Sequence, residues 1–164
     1  MTAAVDKGLA GSFPFGGNLI DGREGADWLI GALATAREPV SICSAFLRSE
    51  ALLKLMPSNR IGLVGRILVR WKLADLLSGA SDLHAFSVAH ALNFDLFMKL
   101  DFHGKVYHVP GEGILVGSAN ATAKGFGFSR DSNTEVCTLV PDNTTTREVT
   151  ASFSRGTTLV YDLL

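Results

Sequence analysis

No apolar run in this chain is long enough to cross a bilayer, and no block of like charge, internal repeat or low-complexity linker interrupts it. Charge of either sign is scarce: 15 Lys and Arg stand against 16 Asp and Glu, a net charge of −1. A non-specific coat for nucleic acid would be more basic, although a local patch of cations can still hold a few phosphates. Cysteine is nearly absent. Cys43 and Cys137 lie alone in apolar, strand-like runs, so they read as buried free thiols. Without His/Cys spacing they form no zinc site, and no metal or other cofactor is expected. The N-terminus carries Asp6 and Lys7 before a Gly- and Phe-rich segment, not a basic end followed by an apolar core. It does not read as a signal peptide, and the expectation is a cytoplasmic protein without a membrane partner.

What is present is a rich apolar content, 47% of 164 residues. That composition disfavours disorder and suits one domain over residues 1–164, with residues 1–18 as an arm or short edge strand. The positive mean hydropathy points to apolar surface covered by a subunit interface.

The patterning alternates helices and strands early and clusters strands late. A helix runs from Asp21 or Gly22 to Arg37 on the stripe Trp28, Leu29, Ala32, Leu33 and Ala36, and Pro39 stops it. Strands follow at Val40–Ala45 and Arg66–Trp71. Ser49 is placed as the cap of a short helix through Leu55, ended by Pro57, and Ser81 as the cap of another. Asp75–Leu77 makes a helical turn ended by Gly79. Phe94–Leu100, Lys105–Val109, Gly113–Gly117 and Glu135–Val140 read as strands, and Thr144–Leu163 as a C-terminal helix. The expected class is α/β, a mixed sheet flanked by helices on both faces.

One run carries chemistry. His103-Gly104-Lys105 is followed, twelve residues on, by Gly117-Ser118-Ala119-Asn120. In a strand, residues two apart share a face, so His103 and Lys105 pair, as do Ser118 and Asn120. A hairpin through Pro110-Gly111-Glu112-Gly113 brings the two pairs together. A base or nucleophile, a cation and two hydrogen-bonding groups suit a tetrahedral phosphate. Arg66, Arg70 and Lys72 alternate with Ile67, Val69 and Trp71, which fits either a half-exposed strand or a phosphate-tracking patch that uses Arg70 and Lys72. Lys124 and Arg130 in the Gly-rich loop after Asn120 are further substrate contacts. His108 should face away from His103. His84 and His90, six apart, do not share a helical face, and Trp28 and Trp71 read as packing.

These residues resemble the signature of the phospholipase D superfamily: H-x-K, four residues, D, six residues, G-S-x-N. The spacing matches without a gap, and one position departs: Pro110 stands where the family has its aspartate. Asn120-Ala121-Thr122, Gly125 and Asn133-Thr134-Glu135 resemble the nuclease branch. Ser44-Ala45-Phe46, Arg70-Trp71 and Gly79-Ala80-Ser81-Asp82-Leu83 resemble metal-independent restriction-endonuclease relatives. The resemblance implies the same α/β sandwich and a metal-independent phosphodiesterase acting on DNA. His103 would be the nucleophile, with Lys105, Asn120 and Ser118 holding phosphate oxygens and Glu135 orienting a histidine. Family members often carry two motifs and this chain has one. A homodimer pairing two copies of His103 is therefore expected, with specificity low or supplied by a separate domain or subunit. A phospholipase or phosphatidyl-transferring enzyme and a non-catalytic nucleic-acid-binding module are the alternatives.

Overall fold

The computed structural model describes residues 19–56, 62–153, 155 and 157–159. β1 (Leu19–Asp21) leads directly into α1 (Gly22–Thr35), and Asp21 makes the junction. Its carboxylate accepts the Arg23 and Glu24 amides at 2.8 Å each, while Glu24 accepts the Asp21 amide at 3.0 Å. That reciprocal box satisfies donors that a helix start otherwise leaves open. Then come β2 (Val40–Ser44), α2 (Ser49–Leu55), β3 (Gly65–Val69), α3 (Leu73–Leu77) and α4 (His84–Ala91). The strands β4 (Phe94–Met98), β5 (Lys105–Val109), β6 (Gly113–Gly117) and β7 (Val136–Val140) precede α5 (Thr144–Ser152) and β8 (Thr158–Leu159).

The strands form one mixed sheet in the order β1-β7-β6-β5-β2-β3-β4-β8. β2, β3 and β4 are mutually parallel; every other pair is antiparallel. One face carries Ile42, Ile67, Leu96, Tyr107 and Leu115 in a large core with α1, α2 and α4. The other carries Cys43, Leu68, Val106 and Ile114, packed with Phe102 and with Phe153 at the end of α5. Strict alternation along each strand separates the two sets, and the sheet is covered by helices on both faces.

Several local expectations change. Neither Ser49 nor Ser81 caps a helix. Asp82 does it for both: one carboxylate oxygen accepts the Ser49 amide at 3.0 Å and the other the Ala85 amide at 2.9 Å. Ser81 is buried, and its hydroxyl accepts the Leu47 amide at 3.1 Å. Strand β3 stops at Val69, and Trp71 turns the chain through a left-handed φ of 37°. Strand β4 ends at Met98, and Glu135 lies just outside β7. The C-terminal helix ends at Ser152, and the chain returns to pair with β4. The expected arm at 1–18 and the stop at Pro57 lie outside the described residues.

The β5–β6 hairpin forms despite Pro110, with Val109 opposite Gly113 and the Glu112 amide bonded to the Val109 carbonyl at 3.0 Å. The carboxylate at this turn comes from Asp142, beyond β7. It accepts the Gly111 amide at 2.7 Å, bonds His108 at 3.0 Å and receives a two-pronged bond from Arg147 of α5. Burial alone would raise the Asp142 pKa, but these donors outweigh it and hold the carboxyl below the usual aspartate range. A depressed carboxyl contributes stability above its unfolded pKa and loses it as pH falls through the folded value. Asp142→Asn should therefore lower the melting temperature at pH 7. The gap to wild type should narrow in strong acid, as followed by circular dichroism from pH 7 to 2.

Candidate active site

The parallel strands β2 and β3 end together, Ser44 opposite Val69, and Lys105 at the start of β5 pairs with Ser44. β6 ends and β7 begins at the same edge, Gly117 opposite Cys137. In open α/β sheets this carboxyl-end edge is where ligands bind.

Ser44, wholly buried, organises the edge. Its hydroxyl donates to the Phe46 carbonyl at 2.6 Å and accepts the Ala121 amide at 2.9 Å. The Asn120 side-chain oxygen accepts the Phe46 amide at 3.1 Å, and the Arg48 amide reaches the Ala121 carbonyl at 3.0 Å. Below, the buried Tyr107 hydroxyl donates to the Ala119 carbonyl at 2.7 Å, and burial raises its pKa so that the proton stays on. Two glycines permit the close approach. A Cβ on Gly117 would meet the Val136 carbonyl at 2.5 Å, and one on Gly125 would meet the Asn120 carbonyl at 2.4 Å. With its oxygen spent on Phe46, Asn120 keeps its Nδ2 donors unspent among the described residues.

His103 stands exposed just before β5. Lys105 Nζ lies 3.3 Å from its Nδ1 and donates to its carbonyl at 3.0 Å, so the imidazole and the cation share a side as the alternation requires. Burial, then the Arg70 charge, push the Lys105 amine below its ordinary pKa, while Glu135 acts the other way. Ser118 donates to one oxygen of Glu135, Asn133 donates to the other at 3.0 Å, and the Val136 amide donates to the Ser118 hydroxyl at 3.1 Å. Glu135 thus meets Ser118 and Asn133 and is felt by Lys105, rather than bonding His103 of its own chain.

Arg70 sits beside Lys105 but is not a free cation. It makes two bonds to Asp75, at 2.8 and 2.6 Å, with both side chains largely shielded from water, and its guanidinium lies 4.8 Å from the centre of the Phe46 ring. Arg66 points to the other sheet face beside Cys43, and His108, bonded to Asp142, also faces away. Lys72 is exposed at the start of α3. Lys124 is exposed and lines a cleft of about 440 Å³ with Asn120, Phe46 and Arg48. Asp75 went unassigned in the sequence because an acid five residues from an arginine has no periodic signature. Ser44 had one signal: a polar residue ending a strand that is otherwise apolar. Among the described residues, no three His, Cys, Asp or Glu side chains gather as a metal site.

A family model described as "Cardiolipin synthase, PLD-like domain" matches residues 29–156. Among solved structures, NucT from Helicobacter pylori superposes with a TM-score of 0.61 at 18% identity, over 85% of this chain and 94% of that one. Nuc from Salmonella typhimurium, a phospholipase D family member, superposes with a TM-score of 0.56 at 16% identity, over 83% of this chain and 87% of that one. At these identities the likeness is one of fold. No curated protein matches in sequence.

Three variants test this geometry through stability alone. The pKa of Lys105 in the fold lies below that in the unfolded chain, so carrying its charge opposes folding below the folded pKa and ceases to matter above the unfolded one. Lys105→Met should melt at or above the wild-type temperature at pH 7, with the gap closing at strongly alkaline pH. Asn120→Ala strands the Phe46 amide and should cost about 1–3 kcal/mol in denaturant unfolding, whereas Asn120→Asp keeps the acceptor and should cost less.

Proposed function

The chain belongs to the phospholipase D superfamily, and from that premise we propose that it is a metal-independent phosphodiesterase. In this reading it is a DNA endonuclease that works through a phosphohistidine within a homodimer. The observation that carries it is the convergence of His103, Lys105, Ser118, Asn120 and Glu135 on one sheet edge.

A phosphodiester resists attack because its anionic oxygens repel nucleophiles and its leaving alkoxide is poor. Covalent catalysis divides the barrier into two smaller ones. A phosphate arriving at Lys105 draws the ammonium from His103 Nδ1 to its own oxygen, which carries a full charge. Freed of that contact, the neutral ring attacks phosphorus with a nitrogen lone pair, and the P–N bond forms as the P–O bond to the leaving oxygen breaks. Lys105 and the Asn120 amide hold the non-bridging oxygens as charge builds, and Ser118, gripped by Glu135, adds a further hydrogen bond. The leaving oxygen takes its proton from His103 of a second copy. That second ring then removes a proton from water, the hydroxide attacks phosphorus, and the P–N bond breaks.

Pairing of two chains is supported by Leu73, Leu77 and Leu100, which are 70, 79 and 55% exposed on segments that follow the site-end termini of β3 and β4. Apolar side chains so placed would be covered when two sites face each other. A phosphatidyl-transferring reading has one observation in its favour, the description of the family model. Among the described residues no helix is long and apolar enough to cross a membrane.

Purified protein should cut DNA in excess EDTA. His103→Ala should reduce the rate by roughly 10³-fold or more while leaving a folded dimer. Labelled substrate quenched in alkali should leave phosphate on the wild-type chain in an acid-labile bond. A strict need for added magnesium, or turnover of a phosphatidyl substrate with DNA left intact, would overturn the nuclease reading.

A further inference from the structure

We propose that Phe46 is a stacking platform for a nucleobase next to the scissile phosphodiester, and that the cleft it lines seats one nucleotide of the substrate; this rests on the nucleic-acid reading above. The cleft, about 440 Å³, falls within the range of small-ligand sites, roughly 300–1,000 Å³. It meets the proposed phosphate site at Asn120, which lines it.

Phe46 is held twice through its main chain and once on its ring. Its own amide is bonded to Asn120, its carbonyl to the buried Ser44 hydroxyl, and the Arg70 guanidinium packs on the ring while fixed by Asp75. A half-buried phenylalanine immobilised beside a reacting phosphate offers a π-face at little entropic cost, and every base has a face to match it. The cations in the cleft are not equivalent. Arg48 donates to the Gly79 carbonyl at 2.5 Å and lies 3.5 and 3.8 Å from the Asp82 and Glu50 carboxylates, whereas the Lys124 ammonium has no hydrogen-bond or ion-pair partner among the described residues. Lys124 therefore supplies the charge for the adjacent phosphate, and Asn133, which also lines the cleft, links it to Glu135. A base can reach the ring only when unstacked, so the substrate is single-stranded or locally opened at the cut.

The test uses oligonucleotides of one sequence carrying either a base or an abasic site at each position flanking the cleaved phosphate. Wild type should lose roughly tenfold or more in kcat/KM when the base is missing at one flanking position. Phe46→Leu should show that loss with the base present and be indifferent to its removal, while Phe46→Tyr should discriminate as wild type does. 2-Aminopurine at the same position should be quenched by the His103→Ala protein and not by His103→Ala/Phe46→Leu. Should Phe46→Leu fail to fold, the wild-type abasic comparison and the Phe46→Tyr variant decide. Cleavage that ignores the abasic site in wild type, or equal discrimination by Phe46→Leu, overturns the platform and leaves the nuclease standing. No cleavage of any nucleic acid by wild type overturns both.

Discussion

The buried hydroxyl of Ser44 joins the two halves of the site, and most of the geometry at that edge follows from it. It donates to the segment leaving β2 and accepts from the segment leaving β6, so residues some 77 apart in sequence meet at one oxygen. Neither segment is regular structure there, and their backbone groups would otherwise be left unpaired in the interior. The side chain of Asn120 completes the joint by taking the Phe46 amide. Its oxygen serves the fold and its nitrogen stays unspent among the described residues, a division open to an amide because it carries a donor and an acceptor on opposite arms.

Electrostatics at the edge are balanced rather than simply positive. Lys105 lies between the Arg70 charge, which disfavours its own, and Glu135, which favours it. Arg70 is neutralised at close range by Asp75, and Glu135 is engaged by Ser118 and Asn133. A chain of near-zero net charge can thus concentrate cations at one point without a basic surface. Among the described residues no carboxylate stands in ion-pair contact with the Lys105 ammonium, which suits it to receive an anion.

Much of this was legible beforehand. The strands β5 and β6 are bounded by glycines and a Pro-Gly turn, and they form at the expected residues. The spacing from His103 to Asn120 puts His103 and Lys105 beside Ser118 and Asn120 at one end of a hairpin, and the β5–β6 pairing has that form. What was not legible depends on partners that meet only in space. Ser49 and Ser81 look like caps by local rule, yet Asp82 takes that role for a helix start 33 residues away. Arg70 looks like a free cation until Asp75 is placed against it. The missing aspartate at Pro110 leaves the hairpin intact because Asp142 brings a carboxylate to the same turn from another segment.

The sharing of Asp82 between the starts of α2 and α4 has a dynamic meaning. A single side chain that closes two helix ends ties their openings into one event, since releasing it uncovers donors on both at once. Those two helices also pack against each other, and α2 begins at the rim of the cleft that holds Arg48 and Glu50. In hydrogen-exchange terms, the Ser49 and Ala85 amides would share a protection factor and be lost together.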